Sequence, residues 1–514
     1  MQVFLFADRT DDRHRPPPHT GTNMGSLRNR ALRGVKWATL QQGLNHVISV
    51  TVFVILARLL DPKDFGLVAF ASVSSGCAGP FVTQGLGAAI VQREQLEELH
   101  LDAAFWFNLA VGAFLCVAVV FFAPAIADLM EQPDAKPVIE WLAVGLLVLS
   151  LSGVQGAVLR RNLAFRALAA RSLIAAAVAG LSAIVLALLG FGVWSLVARQ
   201  LIQSITSVVL LWSVSGWRPR LRFSRSHFMD LFRFGINVVM TELLVFVNRR
   251  ADNFFIGFFL GPAALGYYAV AYRLLTMALQ FLSQTIYRIA MPVMARLQSE
   301  PTRVARSFCR ITHATAHVSL PVFAGLGLLA ADLVPTLFGS KWLPSVPVMQ
   351  LLAAVGALQT MLQPIVAVVV GMGRPEWRLR LQFVDGVANL IGFAIAVHWG
   401  FVAVAFSYLV VNYTLAPLWF VLLTGMVPWS LTGYLAQRRA PVLGMAIMCA
   451  AVLDLQHALP EGFSSWQRII VCAAAGVVSY SGSLRILSPR DAREMIETAR
   501  SIVFNSGKAS PRSA

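Results

Sequence analysis

Charged and amide side chains set inside long apolar runs are where this sequence could do chemistry. Between positions 241 and 253 the chain carries Thr241, Glu242, Asn248, Arg249, Arg250, Asp252 and Asn253 in an otherwise apolar stretch. In hydrocarbon such side chains are costly, so they face a bundle interior or a wet cavity and mark functional positions by default. Positions 242, 249 and 253 share one side of a helix. A second polar stripe, Gln41, Asn45 and Ser49 at spacings of four, runs along an earlier helix, with Gln42 and His46 beside it. Counting down from the outer helix ends at 1.5 Å per residue puts Arg249, Arg250 and Arg273 in one layer ~12–14 Å deep. Arg199, followed by Gln203 and Ser207 at helical spacing, joins that layer from another helix, while Arg288 lies nearer the inner end and snorkels.

Two chemistries compete for this cluster. Asp252 could neutralise Arg273 or Arg249 in a structural ion pair between packed helices. Alternatively, Arg249, Arg250 and Arg273, with Arg199, line a net positive cavity for an anionic group such as pyrophosphate. One carboxylate cannot compensate three buried charges, and guanidinium forks match phosphate bidentately. Gln41, Asn45, Ser49, Asn248 and Asn253 are the expected cavity-lining residues, and Glu242 and Asp252 the carboxylates that could couple transport to an ion. His313, His317 and His398 fall near expected helix ends and read as solvated, and Asp385 sits close to the inner end of its span. No Walker sequence, paired catalytic carboxylates or nucleophile motif is present, so an enzyme is not expected and no catalytic residue is named. The five cysteines are scattered without metal or redox spacing, so no metal site and no cofactor are expected.

The elements that must position these residues follow from composition. The 514 residues are 57% hydrophobic and 13% charged, with mean hydropathy +0.68, whereas a soluble domain is roughly a quarter charged. The net charge of +17 comes in short clusters between apolar runs, which excludes a nucleic-acid face. Crossing a ~30 Å hydrocarbon layer takes about 20 apolar residues. On that basis an all-α polytopic membrane protein of about 14 spans is expected, with helices near 37–58, 65–91, 103–129, 138–159, 167–189, 192–214, 234–258, 264–294, 311–338, 345–370, 380–397, 401–424, 441–459 and 468–487.

About three quarters of the Lys and Arg residues fall in alternate links once the N-terminus is placed inside, which puts both termini in the cytoplasm of a multi-pass inner-membrane protein. Residues 1–33, with Pro16, Pro17 and Pro18, read as a disordered cytoplasmic tail rather than a signal peptide, and Met24 is a second candidate start. The expected division is then 34–214 as a first six-helix lobe, 215–233 as a basic cytoplasmic linker, 234–424 as a second lobe, 425–487 as two further helices and 488–514 as a cytoplasmic tail. The lobes carry a repeat: Leu60-Asp61-Pro62-Lys63-Asp64-Phe65-Gly66-Leu67-Val68-Ala69-Phe70-Ala71 overlays Leu260-Gly261-Pro262-Ala263-Ala264-Leu265-Gly266-Tyr267-Tyr268-Ala269-Val270-Ala271 without a gap. Both copies link the first and second spans of a six-helix set, so the lobes should be related by a pseudo-two-fold along the membrane normal.

Several short motifs, in order and spacing, carry a family likeness: Ala57-Arg58 through Asp61-Pro62 to Phe65-Gly66, Gly85 through Gln92-Arg93, Arg250 with Asp252-Asn253 and Gly257, Leu265 to Tyr268, Met291-Pro292-Val293-Met294, and Phe338-Gly339 with Lys341-Trp342. From about Met24 to the twelfth helix the chain resembles the polysaccharide exporters of the multidrug/oligosaccharidyl-lipid/polysaccharide superfamily, of the colanic-acid and succinoglycan type. The resemblance implies alternating access by two rocking lobes that flip an undecaprenyl-pyrophosphate-linked oligosaccharide, for exopolysaccharide or lipopolysaccharide synthesis, driven by a proton or sodium gradient. The partners it implies are that lipid-linked substrate, membrane lipids and polysaccharide polymerase or co-polymerase proteins. Other readings are a multidrug or cation exporter of the same superfamily, which would want an acidic cavity, and a non-transporting component of a polysaccharide assembly complex.

Overall fold

The computed structural model describes residues 24–489 apart from 78, 84 and 461, and among these residues all regular structure is helical. In chain order the α-helices are α1 (Met24–Leu59), α2 (Pro62–Gly76), α3 (Gly79–Thr83), α4 (Gly85–Gln92), α5 (Glu98–Leu129), α6 (Ala135–Ser150), α7 (Gly153–Arg161), α8 (Phe165–Leu188) and α9 (Val193–Val214). Then come α10 (Arg225–Arg296), α11 (Pro301–Leu328), α12 (Ala330–Phe338), α13 (Ser345–Gly371), α14 (Pro375–Ala396), α15 (Phe401–Thr424), α16 (Leu431–Gln437), α17 (Arg439–Ala458) and α18 (Ser465–Leu487).

Among the described residues, 10 helices are long and apolar enough to cross a membrane, or up to 12 when each of two bent pairs is one span. Those pairs are α6 with α7, bent by 41°, and α11 with α12, bent by 69°. Within the region expected as the 65–91 span the described helices are α2, α3 and α4. The spans expected at 234–258 and 264–294 are the two limbs of α10, which meet at a kink at Gly261, and the long stretch Arg225–Gln280 enters the count as one. At ~1.5 Å per residue α10 is far longer than a bilayer is thick. It folds at Gly261, whose φ of 80° a side chain would disfavour, and the helix resumes at once with Pro262.

Two helices begin earlier than expected. Residues 24–33, expected in the tail, form the first turns of α1, since Leu27, Arg28, Arg30, Ala31, Leu32 and Arg33 are good helix formers. The linker at 215–233 is helical from Arg225 onward. The expected tails at 1–23 and 490–514 lie outside the described residues, as does the Arg288 side chain.

The links gather at two opposite ends of the bundle. At one end Arg93 pairs with Asp230 at 3.1 Å, Arg220 with Glu98 at 2.7 Å, and Arg161 donates to the Glu94 carbonyl at 2.8 Å. This is the basic face. At the other, Lys63 pairs with Asp134 at 2.7 Å and Lys341 with Asp61 at 3.4 Å. Here the two repeat copies meet reciprocally. A Cβ at Gly66 would stand 1.6 Å from the Pro262 carbonyl oxygen, and one at Gly266 1.9 Å from that of Pro62. Each copy seats its glycine on the other's proline carbonyl, the exchange that a two-fold relating them requires, and only glycine permits so close an approach.

Candidate functional site

Around the Gly66 and Gly266 contact the two halves are sealed by hydrogen bonds to backbone carbonyls. Trp342 donates its indole N–H to Ala57 at 2.8 Å, Arg58 donates Nε to Leu337 at 2.8 Å and a second nitrogen to Thr336, and Lys341 Nζ reaches the Arg58 carbonyl at 3.1 Å. Beneath them Phe53 meets Phe65 and Phe338 edge-on at 5.7 and 5.6 Å, and Phe65 meets Trp342 at 5.4 Å. Trp342 and Phe338 are fully buried. The seal joins α1 and α2 of the first half to α10, α12 and the turn Ser340–Trp342 of the second, so it must come apart before this face can open. Sequence reasoning gave these residues no role beyond the family likeness. The signal available was the repeat itself, whose two copies form the centre of the seam.

The polar residues picked from the sequence divide into three groups. Asp252 and Asn253 are buried, and among the described residues Asp252 makes no ion pair with Arg249 or Arg273. Its Oδ2 accepts from the Tyr268 hydroxyl at 2.8 Å and its Oδ1 from the Asn253 backbone N–H at 2.7 Å. The hinge at Gly261 folds α10 back so that residues 252 and 268 face each other. Separately, the Tyr408 hydroxyl of α15 accepts from Gln359 of α13 at 2.8 Å. Arg249, Arg250 and Arg273 stay exposed and Arg199 is partly buried. The Arg273 charge acts on Arg199 and the Arg250 charge on Arg273, so Arg273 is within electrostatic reach of an arginine of each half, and Arg250 also acts on Asp252.

The remaining residues scatter. Asn45 donates to Ser172 of α8 at 2.9 Å, and Asn248 to the Gln382 carbonyl of α14 at 3.2 Å, so both join helices within one half. Gln41 and Ser49 are partly buried, and Glu242 is exposed. The reading of His317 as solvated is corrected. The helix expected from 311 begins at Pro301, which places His317 well inside it, 3% exposed, with Nδ1 3.3 Å from the Tyr480 hydroxyl of α18 and Nε2 3.2 Å from His313. At the basic face Glu97, His100 and His227 bring three possible ligand atoms within 4.8 Å of one another. They are engaged as hydrogen-bond partners: His227 Nε2 meets Glu97 at 3.3 Å, and His100 Nδ1 accepts from the Glu97 backbone N–H at 3.2 Å, which leaves the His100 proton on Nε2.

A helical bundle whose halves exchange one motif across a seam, and which has 10 to 12 helices long and apolar enough to cross a membrane among its described residues, is a multi-pass membrane protein. Its fold superposes on the inward closed conformation of the lipid II flippase MurJ with a TM-score of 0.73, at 13% identity over 89% of this chain and 99% of that one. The inward-facing conformation of a multidrug-resistance MATE family transporter follows at a TM-score of 0.59, 18% identical over 78% and 99%. The chain belongs to the family of polysaccharide biosynthesis proteins, whose model matches residues 55–347. It is similar to the teichuronic acid biosynthesis protein TuaB of Bacillus subtilis, 26% identical over 93% of this chain and all of that one. The lipopolysaccharide biosynthesis protein WzxC of Escherichia coli is 26% identical over 68% of this chain and 72% of its own length. The succinoglycan biosynthesis transport protein ExoT of Rhizobium meliloti is 29% identical over 66% and 69%.

Proposed function

We propose that this protein flips lipid-linked oligosaccharide repeat units, carried on undecaprenyl pyrophosphate, across the cytoplasmic membrane by alternating access, for exopolysaccharide or lipopolysaccharide synthesis. It acts as a transporter and not as an enzyme, with both termini in the cytoplasm. What supports the reading is the set of arginines between the halves: Arg199 of the first half feels the charge of Arg273 of the second, Arg273 that of Arg250, Arg249 stands beside Arg250 in sequence, and the carboxylate Asp252 is held by Tyr268 and Asn253. Such a surface repels organic cations and matches a pyrophosphate through bidentate N–H donors. Transport then requires the Gly66 and Gly266 seam to part while the basic face closes, driven by a proton or sodium gradient in which Asp252 and Glu242 are the coupling carboxylates.

The test is deletion and complementation. A strain lacking the gene should stop secreting its polymer and accumulate lipid-linked repeat units facing the cytoplasm, and the wild-type gene should restore secretion. Normal secretion in the deletion strain, with no accumulated intermediate, would rule the reading out.

A further inference from the structure

A cavity of about 950 Å3 opens at the basic ends of α11, α16, α17 and α18, apart from the arginine layer and the seam. Arg306 and Arg310 of α11 line it, with Trp429, Tyr434 and Arg439 across from them, and among the described residues no carboxylate lines it. Immediately behind this wall is Arg438, only 6% exposed. Its guanidinium lies 3.2 Å from the centre of the Tyr434 ring and one nitrogen donates to the Tyr434 carbonyl, while Nε and Nη2 are buried with no partner. The Trp429 indole N–H, also lining the cavity, is buried without an acceptor. Four arginines and a spare indole donor therefore converge where no carboxylate of the described residues lines the cavity, and buried donors without a partner are costly.

We propose that this cavity binds the phosphate group of an anionic membrane lipid, seated between α11 and the α17–α18 pair. The rim supplies what the rest of a lipid needs: Leu435, Val442 and Leu443 are large exposed apolar side chains, as are Ile486 and Leu487 at the end of α18. Basic pockets between spanning helices at the cytoplasmic headgroup level select anionic headgroups, and tryptophan favours that depth. Loops that merely set orientation need positive charge, but they have no use for an open basic cleft with a buried arginine behind it, two of whose guanidinium nitrogens have no partner among the described residues. The site shares no residue with the proposed transport path.

The experiment is lipid binding to the purified full-length protein, read by native mass spectrometry and by thermal melting. The probes are phosphatidylglycerol, phosphatidylcholine and inorganic phosphate. Phosphatidylglycerol should bind and raise the melting temperature, and phosphatidylcholine should not. The triple variant Arg306→Ala, Arg310→Ala, Arg439→Ala should weaken phosphatidylglycerol binding by at least about tenfold, the loss of one strong contact. Lysine at the three positions, which guards against misfolding, should give a smaller loss because charge is kept and the fork is not. Competition by inorganic phosphate would identify the phosphate group itself as the ligand, and binding untouched by it would identify the whole lipid headgroup. A loss of equal size from alanine at Arg374, Arg378 and Arg380, a basic cluster that does not line this cavity, would overturn the proposal in favour of unspecific charge attraction. Equal binding of phosphatidylcholine would overturn it as well.

Discussion

Replacing Gly66 by alanine should hold the seam between the two halves open. The added Cβ would stand 1.6 Å from the Pro262 carbonyl oxygen, whereas a carbon and an oxygen rest no closer than about 3.3 Å, so the halves must part there by about 1.7 Å. The obstacle is backbone and not a side-chain tip, so no rotamer relieves it. Parting also strains the Trp342 bond to Ala57 and the contacts of Phe53 with Phe338. Overpacking of this kind costs about 1–3 kcal/mol. A state with the seam apart escapes that cost, so the equilibrium should move toward it by about 5–150-fold. The assay is cross-linking of cysteines at positions 61 and 341 by a short bifunctional thiol reagent that spans the length of the lysine side chain, since Lys341 Nζ and an Asp61 carboxylate oxygen lie 3.4 Å apart, in a background without the five native cysteines. Cross-linking should be rapid with Gly66 present and slow with alanine, and Gly266→Ala should act alike because its Cβ would meet Pro62 at 1.9 Å. Gly43→Ala, with nothing within 4 Å of its Cβ, is the control. Undiminished cross-linking in both repeat variants would refute the argument that this contact closes the face.

Further outcomes follow from the same geometry. Trp342→Ala empties a fully buried site and removes the bond to Ala57, so it should cost about 3–5 kcal/mol of the closed state and lower the melting temperature. Tyr268→Phe leaves one Asp252 oxygen without its donor. If Asp252 couples transport to an ion, this change and Asp252→Asn should both reduce gradient-driven transport at unchanged membrane abundance, and full transport in both would remove the carboxylate from the mechanism. Single cysteines at Ala263 and Ser224 should label from opposite sides of the membrane, Ala263 from the outside, and labelling of both from one side would overturn the proposed orientation.

The repeat was legible because a spacing of 200 residues and matched small residues survive in sequence, and the structure adds that Gly66 and Gly266 exchange partners across the seam. Apolar runs located most helices, and the gap left between 258 and 264 contains the Gly261 kink. The angle of that kink does not show in the mean hydropathy of a twenty-residue window. The same hinge hid the partner of Asp252: Tyr268 is 16 positions away and meets it only through the angle at which α10 folds back. Asn45 shows the converse limit. A polar stripe at helical spacing fixes a face of α1 but not what that face meets, here Ser172 of a neighbouring helix. His317 was misplaced because hydropathy starts α11 at 311, whereas its first turns are basic and polar yet helical from Pro301.

The central claim is that the arginine layer carries the pyrophosphate of the substrate, and flipping in reconstituted vesicles tests it most directly. Purified protein in vesicles loaded with a polyprenyl-pyrophosphate oligosaccharide should bring the sugar within reach of an external hydrolase. Alanine at Arg249, Arg250 and Arg273 together should nearly abolish that exposure, and lysine at the same positions should leave part of it, since charge persists without the bidentate fork. Exposure at the wild-type rate by the triple alanine variant, at equal protein in the vesicles, would contradict the account.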